Sequence, residues 1–440
     1  MSGCIRMFSA ALSAMLLAAG PIKADQVQLD VSMSQSTLLA NKKQTTYLKV
    51  GLTGFALAQQ KERPPVNVAL VLDKSGSMNG QKIARAREAA VSALERLNAN
   101  DTVSIITYDS TVHVLVPATK LTDKEQVIAK IKSITAGGST ALFAGVSKGA
   151  AELRKFINRD RVNRVILLSD GLANVGPQSP SELGALGASL GKEGIAVTTM
   201  GLGLQYNEDL MMQLANRSDG NHIFIERATD LVRIFNSEFD DVLSVVAQEV
   251  AITIHCNDGI RPIRMLNGEA DINGQDVVVS MNQLYSKQEK YVILEVEIPA
   301  TAPEKTRDVA KVDVSYSNMT TKTTDRLTSA VSVAFSESAE DVKNAVNREV
   351  MEKSVLQVAN IQNQLATQLR DKGDIAGAQR VLQSNMFYLL TEAEKLDSKL
   401  LGQRRASNEV QSKNLEGKKW NTYRKQMRRL QFKDMKQQKY

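Results

Sequence analysis

The feature that most constrains this 440-residue chain is an alternation of apolar runs with helical periods between residues 63 and 246. The stretch "VNVALVL" is nearly continuous in apolar residues from Val68, as a strand buried on both faces requires. "QKIARAREAAVSALERLN" follows, with Ile83, Ala86, Ala90, Leu94 and Leu97 at helical spacing. "TVSIITY", "VHVLV", "VNRVILLS", "IAVTTMGL" and "NHIFIE" read as further strands, with helical stretches between most of them. Parallel neighbours need a crossover, and a helix is the usual one. The pattern predicts an α/β unit over 63–246: a doubly wound, mostly parallel sheet with helices on both faces.

The flanks follow another period. Val27, Leu29, Val31 and Met33 share one face of an alternating run, and Leu48, Val50 and Leu52 share another, with the polar "ANKKQ" between. "EVAITIHC", "DVVVSM", "KYVILEVEI", "AKVDVSYS" and "TSAVSVAF" alternate after the α/β unit. Two strands alone would leave an apolar face exposed. The expectation is one β-sandwich of about seven strands, 25–62 plus 247–336, into whose chain the α/β unit is inserted. The alternative is two separate β units. Residues 337–400 carry long helical spacing, broken at Lys372-Gly373-Asp374 as in a helical hairpin. Residues 401–440 read as a basic helical tail, with Trp420, Tyr423, Met427 and Leu430 on one stripe.

The first residues resemble a secretory leader: Arg6, an apolar run from Met7 to Ala19, and Ala24 before a cleavage point. A signal peptide over 1–24 and an exported, periplasmic protein are expected. An N-terminal anchor or a buried helix is the alternative. Cys4 leaves with the leader, and Cys256 reads as a small buried hydrophobe. The formal charge of +7 is uneven. Lys399 to Tyr440 holds 13 Lys/Arg against 3 Asp/Glu, a net of +10. An exposed tail of this kind would favour an anionic membrane surface or an acidic partner; nucleic acid is not expected for an exported protein.

Chemistry gathers where the first α/β strand ends. "ALVLDKSGSM" turns from apolar residues to Asp73, Ser75 and Ser77 at alternate positions. Open α/β sheets bind ligands at the carboxyl ends of their strands. One carboxylate and two hydroxyls are hard oxygen donors, suited to Mg²⁺, Mn²⁺ or Ca²⁺ rather than zinc. Taken alone, the same residues also fit an ordinary polar turn. "GGSTALFAG" and "VILLSDG" add Thr140 and Asp170 in loops expected on the same edge. Asp101 reads as a turn residue, and Asp109 as a neighbour of the same rim.

These three motifs together resemble the von Willebrand factor type A domain over about 63–246. The resemblance implies a metal-ion-dependent adhesion site with all five elements present. Ser75, Ser77 and Thr140 would ligate Mg²⁺, with Mn²⁺ or Ca²⁺ as alternatives. Asp73 and Asp170 would act mainly through water, and a carboxylate from a protein partner would complete the octahedron. The layout of flanking strands is also similar to bacterial exported relatives of the inter-alpha-trypsin inhibitor heavy chains.

Enzymatic readings find little support. A D-x-D phosphatase needs a second carboxylate where Ser75 stands, the G-x-S-x-G pattern Gly187–Gly191 falls inside the helical stretch "SELGALGASLGKE" rather than at a strand end, and there is no Walker A loop. No catalytic residue is assigned. The expected function is metal-dependent protein binding in the cell envelope. The alternative is an envelope scaffold in which the metal only stabilises the domain.

Overall fold

The computed structural model describes residues 26–55, 63–417 and 419–438. The expected leader at 1–24 lies outside the described residues. Three strands come first: Val27–Met33 (β1), Thr37–Leu39 (β2) and Gln44–Gly54 (β3). The α/β unit opens with Val66–Asp73 (β4), Gln81–Glu95 (α1), Thr102–Tyr108 (β5), Val112–Lys120 (β6), Lys124–Lys132 (α2) and Leu142–Arg154 (α3). It continues through Val162–Ser169 (β7), Pro180–Lys192 (α4), Ile195–Leu202 (β8), Glu208–Arg217 (α5), His222–Ile225 (β9) and Leu231–Val242 (α6). Strands return as Val245–Cys256 (β10), Arg261–Met265 (β11), Asp271–Asn273 (β12), Asp276–Tyr285 (β13), Glu289–Ile298 (β14), Thr306–Asn318 (β15) and Thr324–Ser336 (β16). Helices close the described chain: Ala339–Asn344 (α7), Arg348–Asp371 (α8), Ile375–Leu396 (α9), Lys399–Lys413 (α10) and Trp420–Lys436 (α11).

The central sheet runs β6-β5-β4-β7-β8-β9, and only β6 is antiparallel to its neighbour. Strands β4, β5, β7 and β8 are buried along their whole length, which explains their nearly unbroken apolar sequences. Side chains of β4 alternate between two cores. Val68, Leu70 and Leu72 join the core with α1 and α6, while Ala69 and Val71 join the one with α3, α4 and α5. The chain steps from β4 to β5 on one side and later to β7 on the other. The carboxyl end of β4 is therefore a topological switch point, the place where such sheets open a crevice.

The remaining strands form two sheets, β1-β3-β14-β11 and β12-β13-β10-β15-β16-β2. Leu48, Val50, Leu52 and Leu294 from one share a core with Ile252, Ile254, Val312 and Val314 from the other. This is the interrupted sandwich, with ten strands among the described residues rather than about seven. The extra ones, β2, β11 and β12, have only three to five residues, too few to display alternation. The start of the second half also shifts. Strand β10 begins at Val245, inside the stretch expected to end the α/β unit, and Glu249 sits at φ 51 where its pairing with β15 slips. The free Cys256 is buried, and burial pushes its thiol pKa up to about 11.

Buried polar contacts join the layers. Arg164 on β7 is fully buried and donates to Thr198 Oγ1 at 3.0 Å and to Tyr285 Oη at 2.9 Å on β13. Glu238 on α6, equally buried, pairs with it at 3.4 Å. The helical hairpin of α8 and α9 turns at Gly373, whose φ of +90 no L side chain adopts easily. Asp374 then caps α9 by accepting from Gly377 N at 2.7 Å.

Helices α10 and α11 fill most of the described part of 401–440, but α11 does not stand apart as a tail. It packs against α8, α5 and β9, and its cations meet acids of the α/β unit, including Lys436 with Asp219 at 2.8 Å. Of the expected stripe, Trp420 and Met427 are buried. Among the described residues no helix is long and apolar enough to cross a membrane.

The seam between β9 and α11 holds His222, buried, with Nδ1 at 2.8 Å from Thr199 Oγ1 and its ring edge-on to Phe432. Burial lowers its pKa from 6.5 to about 3, and the charge of Lys425 adds to the effect. The unfolded chain therefore takes up a proton near pH 6.5 that the fold refuses until about pH 3. This contribution is complete above pH 6.5 and is lost as pH falls from there toward 3. His222→Gln cannot titrate. Urea unfolding at pH 7 and pH 5 is expected to show wild type losing about 2 kcal/mol more stability over that interval than the variant.

Candidate metal centre

Strand β4 delivers Asp73 to the switch point with its side chain fully buried. The carboxylate is held from two directions. Oδ1 accepts from Ser75 N at 2.8 Å, and Oδ2 accepts from Ser169 Oγ, at the end of β7, at 2.8 Å. The first bond curls the chain after β4 into a tight loop, and the second ties that loop to the neighbouring strand. Burial pushes the Asp73 carboxyl above its ordinary pKa, and the donors from Ser75 and Ser169 offset this only in part.

The other expected residues converge there. Ser75 Oγ lies 3.1 Å from Ser77 Oγ, which donates to Asp170 Oδ1 at 2.6 Å. Thr140 comes from the loop before α3. Its N–H donates to Asn174 Oδ1 at 2.8 Å, and its carbonyl accepts from Asn174 N at 3.2 Å. Gly171 lies between the loops: a Cβ there would sit 3.3 Å from Thr140 Oγ1 and 3.4 Å from Ser77 Oγ. The structure thus gathers Asp73, Ser75, Ser77, Thr140 and Asp170 at one sheet edge. Four of them are buried and Ser77 is exposed, so the cluster faces solvent through Ser77.

Backbone contacts fix the loops. Gly76 N donates to Gly138 O at 2.9 Å and Gly137 N to Lys74 O at 2.6 Å, stitching the loop after β4 to the loop that carries Thr140. Gly138 has φ +82, and a Cβ there would meet Asp109 at 3.0 Å, so glycine is required on both counts. Asp109 pairs with Lys74 and accepts from Thr111 N at 2.9 Å. Burial acts to raise its carboxyl, but Lys74 and Thr111 outweigh it and hold the pKa below the ordinary value. Asp101 is elsewhere, fully buried, taking Arg63 and the Val66 and Asn98 N–H groups.

Lys82 belongs to the site although its sequence gives no hint of it. Standing in the first turn of α1, it brings Nζ to Asp170 Oδ2, so both oxygens of that carboxylate are engaged. A lysine in a first helical turn ordinarily reads as solvated surface. Ser169, next to Asp170, and Asn174, further along the same loop, also support the site.

The donor set is three hydroxyls and two carboxylates, with no imidazole or thiolate. All-oxygen donors fit a hard divalent cation. Among the described residues no group of three or more His, Cys, Asp or Glu converges in a way that could hold a metal. This hydroxyl-rich edge is the candidate.

Residues 67–237 match the family model of the von Willebrand factor type A domain. The chain carries a type A domain. Its fold extends beyond that match. A type A protein structure from Catenulispora acidiphila superposes with TM-score 0.69 at 15% identity, covering 86% of this chain and 89% of that one. The flanking sandwich and helices are thus part of a shared architecture.

Three sequence relatives place the type A domain further. An uncharacterized protein of Synechocystis is 25% identical over 334 residues, 73% of this chain and 78% of that protein. Uncharacterized protein YfbK of Escherichia coli is 28% identical over 216 residues, 49% of this chain, and the match spans only 37% of YfbK. Human inter-alpha-trypsin inhibitor heavy chain H3 is 31% identical over 178 residues, 38% of this chain and 20% of that protein. Type A domains generally serve as protein-interaction and adhesion modules, and they commonly hold a divalent metal at a metal-ion-dependent adhesion site.

A cation bound at this edge would compete with Lys82 for Asp170. The Lys82 side chain is one-third exposed, so removing its charge leaves the core intact. Lys82→Met is expected to raise apparent Mg²⁺ affinity by about two- to fivefold, the worth of a partly exposed ion pair. A titration of Mg²⁺ against melting temperature measures it. Weaker Mg²⁺ binding by the variant would mean that Lys82 positions Asp170 instead.

Proposed function

We propose that this protein is an exported binding module that captures an acidic residue of a protein partner through a divalent cation, Mg²⁺ before Mn²⁺ or Ca²⁺. Ser75, Ser77 and Thr140 would hold the cation, with Asp73 and Asp170 behind them. The observation that carries this reading is the meeting of Ser77, Thr140 and Asp170, from three separate loops, around Gly171. When bound, the cation supplies a coordination position for one partner carboxylate.

The chain's own groups prepare that position. Asp73 and Asp170 balance a divalent charge, and Lys82 adds one positive charge beside them. An incoming carboxylate therefore meets no net repulsion. The bonds through Asp73 and Asn174 fix the hydroxyl-bearing loops in advance, which lowers the ordering cost of binding. Export is inferred from the leader-like first 24 residues, with the periplasm as the expected compartment.

We read the protein as a binder, not an enzyme. The Ser75 and Ser77 hydroxyls bond to each other and Ser77 to Asp170, rather than to an imidazole that would activate them. A membrane surface is not part of the proposal. Arg424, Lys425, Arg428 and Lys436, four of the 13 basic residues of 399–440, face acids of the same chain.

The scaffold reading draws on one observation: the Lys82–Asp170 pair and the Ser75–Ser77 contact already knit the loops without a partner. A pull-down from envelope extract separates the two readings. Wild type with Mg²⁺ is expected to retain partners that are lost with chelator and in Ser75→Ala and Thr140→Ala. Equal recovery in all arms, with Mg²⁺ still raising the wild-type melting temperature, would leave the scaffold.

A further inference from the structure

The metal loops do not face open solvent on every side. A cavity of about 660 Å³ begins at Ser77, Thr140 and Leu172 and ends at Trp420, Asn421 and Arg424 of α11. That helix comes from the far end of the sequence, yet it is firmly seated. Arg424 pairs with Glu208, with Asp209 at 2.6 Å and with Asp371 at 2.7 Å. Lys425 donates to Tyr206 O at 2.7 Å and lies 3.9 Å from the centre of its ring. Trp420 is held beneath the Arg370 guanidinium at 4.8 Å.

Three properties of this cleft describe what fits it. Its volume lies within the roughly 300–1,000 Å³ of small-ligand pockets, enough for a few residues of extended chain and too little for a folded domain. Its mouth exposes Leu172 at 59% and Leu204 at 44%, large apolar side chains that a watery ligand would leave uncovered. Its far wall has no charge to offer: Arg424 and Lys425 are matched by Glu208, Asp209 and Asp371.

We infer that α11 and the metal loops form one cleft for an extended peptide segment carrying a single acidic residue with apolar neighbours. The acid goes to the metal loops, the neighbours cover Leu172 and Leu204, and Asn421 and Trp420 limit what passes along the far wall. A polyacidic segment is disfavoured, because its extra carboxylates would find only cations already paired. The inference rests on the metal-dependent reading above and adds the partner's form.

The test uses the full chain and three fluorescein-labelled pentapeptides, read by fluorescence polarisation with Mg²⁺ and with chelator. One has aspartate between two leucines, one has asparagine at its centre, and one has aspartate between two glutamates. The first is expected to bind only with Mg²⁺ and about tenfold or more tighter than either other peptide, as burying apolar side chains would give. Asn421→Trp, at an exposed position, fills the cleft and is expected to weaken that peptide at least tenfold, while Mg²⁺ still raises the melting temperature as in wild type. Leu204→Ser is expected to weaken it severalfold. Mg²⁺-dependent binding unaffected by both variants, or preference for the polyacidic peptide, overturns the cleft and leaves the metal reading standing. So does absence of peptide binding while Mg²⁺ stabilises the chain. No effect of Mg²⁺ on either stability or binding removes the metal reading itself.

Discussion

The carboxylate of Asp73 is the constraint on which the site depends. One oxygen holds the backbone of Ser75 and the other the hydroxyl of Ser169, so a single side chain sets the loop after β4 and ties it to β7. Burying a carboxylate is costly unless it is well bonded, and this one is fully buried at the sheet's switch point. With that loop so held, the Ser77 hydroxyl reaches Asp170 and the Ser75 hydroxyl reaches Ser77. Sheet order supplies the place, and Asp73 supplies the shape.

A second set of ionic contacts decides what surrounds the site. Arg424 reaches across 216 residues of sequence to Glu208 and also takes Asp209 and Asp371, joining α11, α5 and α8. On the opposite side of the domain Arg164 and Glu238 join β7 and α6 to Tyr285 of the sandwich. Removing one partner from such buried groups leaves an uncompensated charge, which destabilises far more than an exposed pair does. The type A domain is therefore braced by both neighbours, and the wall opposite its metal loops is part of the brace.

The sequence made some of this legible and hid the rest for physical reasons. Strand β4 and its D-x-S-x-S end were readable because burial on both faces and alternate hydroxyls are local patterns. Thr140 and Asp170 became readable once the parallel sheet placed their loops on one edge. Strands β2, β11 and β12 were too short to alternate, and β10 began early because its first residues are as apolar as the end of α6. Lys82 looked like surface, since nothing local tells which first-turn lysine finds a buried carboxylate. Helix α11 read as a basic tail with a Trp420 packing stripe, without showing what it packs on, because its acids lie in distant parts of the chain: a net charge of +10 shows that counter-ions are wanted, not where they are.

The most direct test of the metal centre is anomalous diffraction from crystals grown with Mn²⁺ as a stand-in for Mg²⁺. One peak is expected about 2.1 Å from the hydroxyl oxygens of Ser75 and Ser77, with Thr140 completing that side. Absence of a peak at this edge, or a peak instead among Glu208, Asp209 and Asp371, would contradict it.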